Sequence, residues 1–81
     1  MAKPLSPAER LTRYGPGYCR ARAHNGLQAA RYQVENARRC RAAGRRESVQ
    51  HYVAAARKKH RDALRWRQAH VLFTVTTQGA L

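Results

Sequence analysis

The chain has 81 residues, with 17 Lys and Arg against four Asp and Glu and a formal net charge of +13. That length bounds it to one small domain, residues 1–81, with little room for a buried core. Two cysteines, Cys19 and Cys40, are too few for a disulfide scaffold. No segment reaches the ~20 apolar residues of a membrane span, and "MAKPLSPAER" lacks the apolar stretch of a secretory signal, so the expectation is a cytoplasmic chain with reduced thiols and no membrane partner.

In chain order, "SPAERLTRYG" carries both ends of a short helix over 7–14. Ser6 suits the N-cap, Glu9 completes a capping box, Pro7 fits the first turn, and Gly15-Pro16 stops it. "GPGYCRARAHNG" then reads as a loop, broken by Gly15, Pro16 and Gly17 and closed by Asn25-Gly26. A second helix is expected over about 26–43, with Asn25 as its cap. It turns Leu27, Ala30, Val34 and Ala37 inward, with Cys40 at the edge, and Glu35 is placed to pair with Arg31 and Arg39. Gly44 is its natural C-terminal glycine.

A third helix, about 46–70, carries the clearest apolar stripe: Val49, Tyr52, Val53, Ala56, His60, Ala63 and Leu64, with Val71 as its next member if the helix runs on. His60 is read as a packed core or interface histidine. The segment 71–77 changes period. Val71, Phe73 and Val75 alternate with Leu72, Thr74 and Thr76, which suits a short strand, with continuation of the helix as the other option. The expected fold is therefore all-α, an antiparallel helical hairpin with a short N-terminal helix and a C-terminal strand. Large apolar side chains are sparse, so the hairpin must pack closely through alanine or recruit a second copy. A homodimer through the third helix and the tail would bury Val71, Phe73 and Val75.

Fourteen of the 17 cations are arginine, whose planar fork matches phosphate and carboxylate. In "RKKHRDALRWR", residues 57–67, Lys58, Arg61 and Arg65 fall on the side opposite the apolar stripe, with Asp62 placed to tether Lys58 and Arg65. A solvated helix face accounts for such a ridge, but solvated faces usually mix signs, and Asp62 is the single acid here. Trp66 serves either as packing against the N-terminal helix or tail, the commoner use of so large a ring, or as a stacking platform for a base.

No Walker loop, GxGxxG, GxSxG or HExxH occurs. Cys19, His24, Cys40 and His51 fit no standard zinc spacing, and the four carboxylates are explained by caps and ion pairs. The chain is thus read as non-catalytic, with no cofactor and no metal. The favoured function is binding a DNA or RNA backbone through Arg38, Arg39, Arg41, Arg45, Arg46, Lys58, Arg61, Arg65 and Trp66. The alternative is a small accessory protein, of the kind phages and mobile elements encode, that binds an acidic surface of a nucleic-acid-processing protein and inhibits or modulates it.

Overall fold

A computed structural model describes residues 3–79, with side chains up to residue 77. Three helices follow one another: α1 (Pro7–Tyr14), α2 (Pro16–Ala42) and α3 (Arg46–Gly79). The fold is all-α, and among the described residues there is no strand. The hairpin of α2 and α3 dominates, and α1 lies against its open end. α3 has 34 residues, ~51 Å at ~1.5 Å each, and sets the long dimension of a body measuring 55 × 30 × 15 Å.

α1 forms as its sequence dictates. The Ser6 hydroxyl accepts from the Glu9 N–H at 3.2 Å, and the Glu9 carboxylate accepts from the Ser6 N–H at 3.3 Å. The tip of the hairpin is equally local. Gly44 sits at φ 74, the left-handed region that glycine enters without a Cβ clash. Its N–H donates to the Arg41 carbonyl at 3.1 Å, and the Arg45 N–H donates to the Cys40 carbonyl at 2.9 Å. These two bonds make a Schellman motif, which satisfies carbonyls that the helix end leaves free.

The loop expected before Asn25 is absent: α2 is continuous from Pro16. Gly15 makes the break alone, and Pro16 does not continue α1 but opens α2, where its missing N–H is no loss. Asn25 is accordingly inside the helix. Gly26 also stays helical, because α3 lies close beside it. A Cβ on Gly26 would come within 2.8 Å of the Ala63 Cβ.

The expected strand over 71–77 is likewise helix. An isolated strand leaves its backbone groups unpaired, whereas continuing α3 satisfies them internally. The threonines join in, as Thr74 and Thr76 donate to the carbonyls of His70 and Leu72 at 3.1 and 2.7 Å.

The core is small-residue packing. Among the described residues, six of the eight buried apolar ones are alanine: Ala23, Ala30, Ala37, Ala56, Ala63 and Ala69. On α2, alanine recurs every seven residues at 23, 30 and 37, a spacing that keeps one seam facing its partner. Small side chains there let two helix backbones approach closely. Larger residues are displaced outward. Val34 and Leu64, expected inside, are 42% and 37% exposed, and His60 is exposed rather than packed.

Candidate phosphate-binding surface

The basic residues fall into distinct places. The first is the hairpin tip, where Arg38, Arg39, Arg41, Arg45 and Arg46 are all exposed around the Gly44 turn. Arg39 and Arg41 lie in the last turn of α2, where the helix dipole favours cations. Arg46 opens α3, where the dipole opposes it, and Glu47 follows as the first-turn acid. An anion at this end of α3 would meet both the arginines and the positive helix terminus.

The second place is the outer face of α3. Lys58, Arg61 and Arg65 line one shallow surface with Lys59 and Asp62, so the ridge predicted from helical periodicity exists. Arg46 and Lys58 are twelve residues apart on one helix, ~18 Å at ~1.5 Å per residue. Tip and ridge are thus separate clusters on the same molecule.

The third was not foreseen. Arg31, Glu35 and Arg38 of α2 and Arg57 and His60 of α3 border a groove of about 580 Å³ whose floor is Leu27, Ala30, Val34 and Ala56. Aligning the two helices antiparallel about Gly44 in the sequence would have brought Arg31 opposite Arg57, since both flank the inward seam.

The expected ion pairs are rearranged. Glu35 pairs with Arg38 at 3.8 Å, not with Arg31 or Arg39; the i,i+3 neighbour lies as near on the helix as the i,i+4 ones. Asp62 turns to Arg10 at 3.9 Å instead of tethering Lys58 and Arg65, because α1 brings a buried cation to it.

Trp66 does not join the exposed set. It is 7% exposed, with Tyr14 and Tyr18 edge-on at 5.4 Å each and those two tyrosines stacked at 4.9 Å. The Arg10 guanidinium lies 4.5 Å from the Trp66 ring centroid and that of Arg22 5.4 Å. Its ring is used for packing and cation–π contact, so no face is left for a base. Arg10, buried at 7% exposure, also donates through Nε to the Leu5 carbonyl at 3.3 Å. Cys19 is fully buried beneath this cluster, where its Sγ–H donates to the Arg10 carbonyl at 3.7 Å. Burial pushes its thiol pKa up, and the nearby Arg10 charge opposes that only in part. Both cysteines are free thiols.

Among the described residues, no helix is long and apolar enough to cross a membrane, and no group of three His, Cys, Asp or Glu residues is placed to hold a metal ion. The chain matches no protein-family model, no curated protein and no solved structure.

Proposed function

We propose that the chain is a non-catalytic nucleic-acid-binding protein of the cytoplasm that contacts the phosphate backbone of DNA or RNA through its arginine-rich hairpin. One observation carries this reading. Arg38, Arg39, Arg41, Arg45, Arg46, Lys58, Arg61 and Arg65 are all exposed, and among the described residues only Arg38 of these has a carboxylate partner. So many unpaired cations repel one another, and a polyanion relieves that repulsion. Phosphate contacts of this kind position a protein on its target without reading sequence. With six phosphates neutralised, log K falls against log salt with a slope of roughly −5. Fluorescence anisotropy with duplex DNA, duplex RNA and single strands across a salt series measures it. No binding to any of these at ~50 mM salt refutes the reading.

The groove between the helices favours a second reading. Its apolar floor inside a rim of Arg31, Arg38 and Arg57, with Glu35 paired to Arg38, has the dry centre and mainly basic border of a protein interface. An accessory protein that docks there on an acidic surface of a nucleic-acid-processing enzyme, and modulates it, would use this groove. Replacing Val34 by Glu separates the two. It abolishes protein docking at the floor while leaving backbone binding at the tip and ridge nearly unchanged.

A further inference from the structure

The inward seam of α3 ends at Ala69, the last buried residue of the helix described. A second apolar stripe runs along another side of the same helix. Leu64, Val71, Leu72 and Val75 stand at i, i+7, i+8 and i+11, and they are 37%, 47%, 38% and 61% exposed. Together with Pro7 and Ala8 of α1, and with Arg67 and Gln68 of α3, they line a depression of about 760 Å³. Such spacing is what a helix shows toward a packing partner, yet none covers it here.

α2 cannot cover it. Gly26 lies against Ala63, and the helices run antiparallel, so ten residues back along α2 correspond to ten forward along α3. Pro16, where α2 begins, therefore stands level with Phe73. From there to Gly79 α3 projects past the hairpin by ~9 Å. This end is also electrically unlike the rest. Between Gln68 and Gly79 there is no Lys, Arg, Asp or Glu, in a chain of net charge +13.

We propose that this stripe is a homodimer interface, in which the α3 ends of two copies pack antiparallel about a two-fold axis near Val71 and Leu72. A single cation, Arg67, lines the depression, at the edge of the stripe, which is little for an anionic partner to grip. A second copy offers an apolar face of matching pattern, uncharged from Gln68 onward. The register also keeps like charges apart. With the axis between residues 71 and 72, Gln68 meets Val75 and Arg67 meets Thr76. The nearest arginine of the stripe, Arg67, then lies ~7 Å along the helix from the axis, so the two copies' Arg67 residues are ~14 Å apart along it. That exceeds the Debye length of ~8–10 Å at ordinary salt. The two tips at Arg46 point away from each other, each ~38 Å from the axis. A two-fold interface of this kind is self-complementary and closed. It is independent of what the basic surfaces bind.

Sedimentation equilibrium of the full chain over micromolar concentrations, at low and high sodium chloride, provides the test. The expected result is a dimer whose affinity rises with salt as residual repulsion is screened, and that weakens at least ~100-fold on Val71→Glu with Val75→Glu. Both positions are exposed, so circular dichroism of that variant should match the parent. A second measurement does not depend on it. Leu72→Cys in a Cys40→Ser background should cross-link to itself under mild oxidation, whereas Lys58→Cys in the same background should not. A monomer at every concentration and salt overturns the proposal. So does a dimer indifferent to the Val71 and Val75 changes, or one cross-linked through residue 58 instead of 72.

Discussion

Gly26 and Gly17 are both helical residues of α2, and they should respond oppositely to a side chain. At Gly26 an added Cβ meets the Ala63 Cβ at 2.8 Å and its Cα at 3.3 Å, backbone that cannot swing aside. At Gly17 nothing lies within 4 Å. Gly17→Ala should therefore stabilise by ~0.4–1 kcal/mol, through the lower entropy of the unfolded chain. Gly26→Ala gains the same propensity but must push the two long helices apart. Overpacking typically costs about 1–3 kcal/mol, so the net change is destabilising, and Gly26→Val should be worse. Urea denaturation of the three variants measures this, and an unchanged midpoint for Gly26→Val would show the seam to be looser than described. Trp66 and Arg10 extend the same point about small and large neighbours. The packing role of Trp66 follows from its size, whereas nothing in "PAERLTRY" marks Arg10 as buried. Its burial depends on Asp62 and Trp66, more than fifty residues away in sequence.

At the level of elements, α1 has eight residues, too few to hold a helix alone in water. Its capping box contributes about 1 kcal/mol, and the rest comes from Tyr14, Arg10 and Leu11 seated on Trp66 and its neighbours. Trp66→Ala should release α1 while the hairpin survives around its alanine seam. Hydrogen exchange would then show protection lost over 7–14 and largely kept over 27–42; uniform loss would mean the Trp66 cluster holds the whole fold. Helix ends with strong local chemistry were legible in the sequence: Ser6 with Glu9, and Gly44 with its antiparallel turn. The elements misread were those whose local cues conflict with their surroundings. Gly17, Asn25 and Gly26 disfavour helix taken singly, but close packing on α3 makes a glycine at 26 fit. The alternation of Val71, Phe73 and Val75 suits a strand, yet no second strand exists to pair with it. Lys58, Arg61 and Arg65, with Arg38 and Arg39, were legible because helical periodicity places them outward, and Arg41, Arg45 and Arg46 because they flank the Gly44 turn. The groove between Arg31 and Arg57 is invisible to the periodicity of either helix alone and emerges only when the two are aligned about Gly44.

For the molecule as a whole, the +13 charge is both a cost to the fold and the feature on which the proposed polyanion binding rests. Arg61 and Arg65 separate these two effects. Both are exposed on the outer ridge of α3, away from the alanine seam and from the stripe at Val71 and Val75. Replacing both by Glu changes the net charge by four units, because each exchange removes one positive charge and adds a negative one. Self-repulsion in the free protein falls, so the melting temperature should hold or rise slightly, most visibly at low salt. Binding to a polyanion should move the other way. Two phosphate contacts are lost and two carboxylates are set against the backbone, so affinity at low salt drops and the slope of log K against log salt shrinks by roughly 2. The opposed signs are what make the experiment informative. A variant that merely unfolds would lose melting temperature and affinity together. An affinity and slope equal to the parent's, at an unchanged melting temperature, would show the ridge to be solvated surface and move the backbone contact to the arginines of the Gly44 tip and the groove.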